Sequence, residues 1–251
     1  MSLFSNTLDQ LIERVCRLHL HDWREGTCTG GTTTTVVDTS RNERDDYFNN
    51  LPYAEAYIRT TTDGLAPISE KRVITDFAQS TGTITVSDAF TAAPAAGDTY
   101  SVHTTFLRDD VVDALNAAID SVAREYPIDT LDDETLLVSD VFEYPVPTGF
   151  IYIYRITMSS DDGDFYGDPI PPDHYKIIRG RATPRIHFYS FPVSAQATDH
   201  YYGELWAQSD FSAGEKLQIE GFKRQPKLVK DTDICYLNPN YVCAQSASLL
   251  H

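Results

Sequence analysis

Residues 108–126 carry the pattern that most restricts the fold of this chain, an apolar stripe at helical spacing. The stripe consists of Val111, Val112, Leu115, Ala118, Ile119, Val122 and Tyr126. Apolar residues at such three- and four-residue steps lie along one face of a helix. Asp109 and Asp110 favour the start of this helix through the helix dipole, and Pro127 ends it. A helix with this face needs a partner that covers the stripe.

The partner is predicted at residues 3–23, where apolar side chains follow the same period. They are Leu8, Leu11, Ile12, Val15, Cys16, His19 and Trp23. Ser5 or Asn6 is expected to cap this helix. A third helix is predicted after the proline turn at 238–240. The sequence therefore predicts a small helix bundle made of residues 1–26, 107–135 and 231–251.

Two long segments between these helices have the alternation and the β-branched content of strands. Residues 27–106 predict an inserted β module, either a small barrel or a sandwich. Residues 136–230 predict a larger β-sandwich-like domain, in which Phe150–Tyr154 is expected to be central because it is apolar on both faces. Its strand candidates are 140–146, 150–158, 174–179, 185–189, 201–206 and 215–222. The predicted fold class is therefore α+β.

Charge and cysteine usage limit the function and the compartment. The formal net charge of −17 argues against specific nucleic-acid binding, which needs Lys and Arg to displace phosphate counterions. Cys16, Cys28, Cys235 and Cys243 have neither paired nor zinc-ligand spacing, which predicts free thiols. No apolar run approaches the roughly 20 residues of a membrane span, and Met1–Phe4 lacks the features of a signal peptide. We therefore expect assembly in the cytoplasm and no membrane partner.

Motifs that carry catalytic chemistry are missing from the sequence. It contains no GxSxG, HExxH, Walker or GxGxxG pattern. The loop Asp161–Asp168 is rich in carboxylates but lacks EF-hand spacing, so a solvated loop is the favoured interpretation and a Ca²⁺ site the alternative. The pair Asp109-Asp110 is explained by helix capping, and residues 132–134 are expected in a polar linker. We therefore predict no enzymatic activity, no metal and no cofactor.

A basic cluster stands out in this acidic chain. Its members are Arg179, Arg181 and Arg185, with the aromatic residue Tyr189 close by. A stacking platform for single-stranded nucleic acid has this local composition. An anchor at a protein–protein interface is the favoured interpretation, because Arg and Tyr are enriched at interface hot spots.

Several segments resemble parts of phage structural proteins. A β module common in such proteins is similar to Thr32–Asp38, Asp45–Phe48, Arg72–Phe77 and Ala89–Tyr100. Residues 108–126 resemble the central helix of bacteriophage head-to-tail connectors of the adaptor family. Asp233–Val242 resembles the segment that leads into the last helix of those adaptors. The order of helix, long insertion, helix, β domain and terminal helix is also similar.

The resemblance implies a non-enzymatic structural protein of the virion. It implies a homo-oligomeric ring, commonly twelve-fold, through which DNA passes. The implied partners are the portal protein on one side and tail nozzle or tube proteins on the other. Adaptors contact the portal with their last helix or tail, which would give this role to Tyr241, Val242, Leu249, Leu250 and His251. From the residues alone, the last helix either forms such an arm or completes the bundle.

Three other functions stay open at this point. The first is another structural role, as a tail-tube, stopper or fibre-attachment protein. The second is a carbohydrate-binding β module, suggested by Tyr152, Tyr201, Tyr202 and Trp206. The third is an enzyme whose site carries none of the known motifs.

Overall fold

A computed structural model describes residues 4–51, 53–136, 138, 141–158, 169–180, 182–189 and 216–250. The chain forms two units. The first comprises Leu3–Val122 and Gln225–His251, and we call it the helix–sheet unit. The second comprises Met1–Ser2 and Ala123–Arg224, and we call it the two-sheet unit. The mixture of helices and antiparallel strands fits the predicted α+β class.

The helix–sheet unit holds three α-helices of the described chain: α1 at Leu8–Arg14, α2 at Arg108–Val122 and α3 at Pro239–Leu250. A π-helical turn at Val15–His19 continues α1. The predicted helix over 3–23 is therefore wrong beyond His19. The chain turns there because His21 adopts a left-handed backbone conformation with φ of 52°.

The start of α1 is fixed by a capping box at Thr7 and not by Ser5 or Asn6. The backbone N–H of Gln10 donates to Thr7 Oγ1 at 3.3 Å, and that of Thr7 donates to Gln10 Oε1 at 3.0 Å. These reciprocal bonds satisfy two donors that a helix start leaves free. Asn6–Thr7 also forms strand β1, whose partner strand β15 is Ile234–Cys235. The C-terminal segment is thereby tied to the first helix.

The three α-helices share one apolar core, which confirms the predicted packing of the first helix on α2. The buried members are Leu8, Leu11, Ile12, Val15, Cys16, Val111, Leu115, Ala118, Ile119, Val122, Leu228, Cys235, Leu237, Val242 and Cys243. Each helix contributes one apolar face, so none of the three is stable without the others.

Between α1 and α2 the chain forms seven strands, and their core is separate from that of the helices. They are β2 (Arg24–Thr27), β3 (Gly30–Thr32), β4 (Thr35–Val37), β5 (Glu55–Thr60), β6 (Lys71–Ala78), β7 (Thr83–Val86) and β8 (Thr99–His103). They pair antiparallel in the order β2-β8-β5-β6-β7-β4-β3. In place of the predicted barrel or sandwich, the described strands form one open sheet that does not close into a barrel.

Strand β6 bends this sheet. Residues 71–73 pair with β5 and residues 74–78 pair with β7, with a bulge between Ile74 and Asp76. The edge strands β2 and β3 are separated along the chain only by Cys28 and Thr29. One continuous segment therefore supplies both edges, and the sheet curves around a core that includes Phe48, Phe77 and Tyr100.

The two-sheet unit is built from two three-stranded antiparallel sheets of the described residues. Its strands are β9 (Ile128–Leu136), β10 (Glu143–Pro145), β11 (Phe150–Met158), β12 (Tyr175–Ile178), β13 (Arg185–Phe188) and β14 (Lys216–Lys223). The sheet orders are β11-β14-β9 and β10-β13-β12. Both sheets contribute to one core, which includes Tyr144, Ile156, Ile186, Phe188 and Ile219.

Two predictions for this unit are wrong. Residues 132–134 are not a linker, because they belong to β9. Phe150–Tyr154 is not central in its sheet: β14 lies between β11 and β9, and β11 exposes Tyr152 and Tyr154. The tyrosines tolerate this because a phenol has a polar tip. The strand candidate 201–206 lies outside the described residues.

All four cysteines are free and buried, which confirms the predicted free thiols. Burial is the main cause that raises the pKa of each thiol, to about 12 for Cys16 and Cys28 and about 11 for Cys243. Within the described part of the chain, none of the helices has the length and apolar character needed to cross a membrane.

Candidate functional site

The first candidate surface is the outer face of the sheet β11-β14-β9, which we call the acidic face. Tyr152 and Tyr154 are 55% and 44% exposed, because residues two apart on a strand point to the same side and Ile153 between them points to the core. Phe222 on β14 lies beside them: its ring centroid is 6.2 Å from that of Tyr152 and 5.1 Å from that of Tyr154. Exposed aromatic rings at this density are typical of a binding surface.

Carboxylates surround these rings. Asp129 lies opposite Phe222, and Glu220 lies between Arg155 and Leu131 in the register of the strands. The nearest distance between Arg155 Nη1 and Glu220 Oε1 is 3.5 Å. A shallow concavity of about 260 Å³ is lined by Asp129, Thr130, Leu131, Tyr154, Gln218 and Glu220. The surface therefore joins apolar rings to negative charge.

The second candidate surface is the outer face of the sheet β10-β13-β12, which we call the basic face. The register aligns Glu143, His187 and Lys176 across its three strands. The Lys176 ammonium lies 5.4 Å from the ring centroid of Tyr189, a cation–π contact, and Tyr189 is 55% exposed. His187 Nδ1 lies 3.5 Å from Glu143 Oε1.

The basic cluster predicted from the sequence belongs to this second surface. Arg185 begins β13 and pairs with Ile178, the residue before the exposed Arg179. The fold therefore brings Arg179, Arg185 and Tyr189 to one sheet. Arg181 lies outside the described residues. Lys176 was not among the predicted interface residues, although its position one residue after Tyr175 at the start of β12 places it on the outer face.

The C-terminal helix α3 is the third candidate surface. Val242 is fully buried in the helical core and Leu250 packs against that core, so these two predicted portal-binding residues contribute to the unit's own core. Tyr241 and Leu249 are 45% and 52% exposed. His251 lies outside the described residues. Two of the five predicted portal-binding residues therefore offer an exposed side chain on this helix.

A buried polar cluster in the helix–sheet unit was not anticipated from the sequence. The Arg108 guanidinium pairs with Asp231 and lies 4.1 Å from the ring centroid of Tyr57. The backbone N–H of Arg108 donates to Glu55 Oε1 at 2.6 Å. Burial raises the pKa of the Glu55 carboxyl. The cluster joins α2, β5 and the C-terminal segment, and its side chains are shielded from solvent, which fits a structural role.

A second polar cluster lies where α1 meets the sheet. Arg59 on β5 contacts Asp9 at 2.6 Å, Glu13 at 3.0 Å and Glu25 at 3.2 Å. Its guanidinium lies 4.9 Å from the ring centroid of Trp23. These partners are 34 to 50 residues from Arg59 in the sequence, so no local pattern could predict them.

The carboxylate-rich loop Asp161–Asp168 lies outside the described residues. Within the part of the chain that the structure describes, no group of three or more His, Cys, Asp or Glu side chains could hold a metal ion.

Comparison with known proteins gave no relative. No protein-family model, no curated protein and no solved structure matched the chain.

Proposed function

We propose that this chain is a structural, non-enzymatic protein of the phage particle, an adaptor in the joint between head and tail. One observation carries the proposal. The helices α1, α2 and α3 are far apart in sequence and share one core, while a β part is inserted between each helix and the next. The segments that resemble adaptors belong to the same order of parts, with a helix core carrying an inserted β module and a second, sandwich-like β domain.

The physical properties support a role as a joint. The exposed aromatic and charged faces of the two-sheet unit are suited to contacts with other proteins. A net charge of −17 lets DNA pass along such a protein without being held by it. In this role the chain forms a ring, commonly twelve-fold, in the virion, with the portal protein above it and tail nozzle or tube proteins below it.

Portal contact through α3 can be tested with the cognate portal protein. The variant Tyr241→Ala/Leu249→Ala removes the two exposed side chains of α3 and leaves the buried Val242 in place. We expect the native chain to bind the isolated portal ring and the double variant to bind it at least about tenfold more weakly. Binding is measured by sedimentation with the portal, and electron microscopy locates the added density.

The matched control for this test is Leu18→Ala. Leu18 is 55% exposed on the π-helical turn, so the control removes a similar apolar area from the same unit. It should leave portal binding unchanged. A native chain that binds neither portal nor tail proteins contradicts the adaptor function. Portal binding that is insensitive to both α3 substitutions assigns the contact to another surface.

A further inference from the structure

The two-sheet unit presents two outward faces with opposite charge. Because its two sheets pack over one core, the acidic face and the basic face point away from each other. Both faces carry exposed tyrosines, so each combines apolar area with charge. These are properties of a surface that binds protein, since aromatic and Arg residues supply most of the energy at interfaces.

Charges on the acidic face are predominantly negative. Its strands β9, β11 and β14 carry the outward or exposed carboxylates Asp129, Asp133, Glu134 and Glu220 against the bases Arg155 and Lys216. Arg155 is paired with Glu220 across the strands. The concavity beside Tyr154 is lined by two carboxylates and no basic side chain. A cationic side chain is therefore the complementary group for this concavity.

The basic face has the opposite balance. On its strands, Lys176 and Arg185 outnumber the carboxylate Glu143. Just beyond the two ends of β12 lie the exposed Arg179 and the exposed Asp173, so three basic side chains stand against two carboxylates. Lys176 and Arg179 are exposed, and Tyr189 lies beside the Lys176 ammonium. The face thus offers cationic side chains at the ends of flexible stems together with one exposed ring.

We propose that the acidic face of one copy binds the basic face of the next copy. The complementary charges would align the two sheets, and Tyr152, Tyr154 and Tyr189 would supply the apolar contact area. Such a contact is heterologous, because the two surfaces differ. Each added copy leaves one free acidic face and one free basic face, so the contact repeats and produces either a ring or an open filament. The pairing of faces depends on their charges alone, whereas closure into a ring rests on the proposed function.

Charge reversal on one face at a time tests the pairing. The first variant is Asp129→Lys/Asp133→Lys on the acidic face, and the second is Lys176→Glu/Arg179→Glu on the basic face. All four side chains are exposed, so the substitutions leave the core intact. We expect each variant to self-associate at least about tenfold more weakly than the native chain, because it presents two faces of like charge. Sedimentation velocity over a concentration series measures the association.

Mixing the two variants gives the sharper result. The first variant has two basic faces and the second has two acidic faces, so an equal mixture should recover association that neither shows alone. The matched control is Asp113→Lys/Asp120→Lys, which makes the same charge change at exposed positions of α2 and should associate like the native chain. Raising salt from about 0.05 M to about 0.5 M should weaken the native association.

Three results would overturn the pairing. The native chain could stay monomeric, both charge-reversal variants could associate as strongly as the native chain, or an equal mixture of the two variants could stay dissociated. Binding of a glycan array through Tyr152 and Tyr154 without self-association would also overturn it. The outcome is distinguishable from the portal test. If the chain binds portal but its self-association is unchanged by the charge reversals, the pairing is wrong and the adaptor function stands. If its self-association changes with the charges but it binds neither portal nor tail proteins, the pairing stands and the adaptor function is wrong.

Discussion

Each unit contains an arginine–carboxylate pair, and the two pairs differ in exposure. In the helix–sheet unit, the side chains of Arg108 and Asp231 are 9% and 17% exposed. In the two-sheet unit, those of Arg155 and Glu220 are 43% and 24% exposed, and the nearest N–O distance is 3.5 Å. The first pair is surrounded by protein and joins segments distant in sequence. The second pair lies on an open face where water competes for both partners.

Three tyrosines show the same contrast in exposure. Tyr100 is fully buried in the curved sheet, where its hydroxyl donates to Asp38 Oδ2 at 2.9 Å and accepts from Arg41 Nε at 2.5 Å. Tyr152 and Tyr154 stand on the surface of the two-sheet unit. At these positions the helix–sheet unit uses polar groups to hold its parts together, whereas the two-sheet unit exposes them. The difference indicates that Arg108 and Tyr100 stabilise the fold, while Tyr152, Tyr154 and Arg155 are available for contacts.

The largest loss of stability is expected from Arg108→Ala, which tests the contrast between the two arginine–carboxylate pairs. The substitution leaves the largely buried Asp231 carboxylate without its charged partner and removes the cation–π contact with Tyr57. The hydroxyls of Tyr57 and Ser69 still donate hydrogen bonds to Asp231. We expect a loss of about 3–5 kcal/mol in the free energy of unfolding. The matched variant Arg155→Ala removes an exposed partner and should cost less than about 1 kcal/mol. Urea unfolding monitored by circular dichroism measures both, and equal losses would contradict the division between the units.

The second prediction concerns His103, a buried residue on β8. Its Nε2 lies 3.1 Å from Ser101 Oγ, and its ring contacts the edge of Trp23. Burial, aided by the nearby positive charge of Arg108, lowers the pKa of His103 from its ordinary value of 6.5 to about 4. The folded protein therefore keeps this imidazole neutral, while the unfolded chain takes up a proton between those two pH values.

Stability should therefore be complete above about pH 6.5 and should fall as the pH drops toward 4, with a contribution from His103 of about 3 kcal/mol. The variant His103→Gln keeps a hydrogen-bonding side chain but cannot titrate, so its stability should change less over this range. Asp22, whose pKa is lowered by hydrogen bonds from Thr104 and Thr105 against the effect of burial, loses its contribution only below about pH 4. Parallel pH profiles for the two proteins would rule out titration of His103 as the cause.

The parts of the fold that follow local patterns were predictable from the sequence. The stripe in residues 108–126 predicted α2, which is observed at Arg108–Val122, and the strand candidate 150–158 coincides with β11. Strand β9 was missed because its acidic residues 132–134 have the composition of a linker. Those charges are tolerated because the strand lies at the edge of its sheet, beside a bulge, where charged side chains reach water.

Contacts between distant residues were not predictable. Arg108 and Asp231 are 123 positions apart, and either one alone has the composition of an exposed helix end or a turn. The candidate surfaces were predictable only in part. The basic cluster of Arg179, Arg185 and Tyr189 was recognised because its members are close in sequence. The acidic face was not recognised, because it forms only when three strands from residues 128–223 come together. Only the fold shows that Tyr152 and Tyr154 share a face with Glu220 and Phe222.

The smallest change in the free energy of unfolding is expected for a substitution in α3. This helix has buried and exposed apolar positions, so it tests whether burial determines how much a side chain contributes to stability. Val242 is fully buried, and Val242→Ala should lower the free energy of unfolding by about 2 kcal/mol through lost packing and the cavity left behind. Leu249 is 52% exposed, and Leu249→Ala should change it by less than about 0.5 kcal/mol. Chemical denaturation at fixed pH separates the two values. If Leu249→Ala cost as much as Val242→Ala, Leu249 would contribute to the folded core, and of the two proposed contact residues of α3 only Tyr241 would be available to a portal. If the expected order is observed, Leu249 is available to a partner at almost no cost to folding, as the proposed portal contact requires.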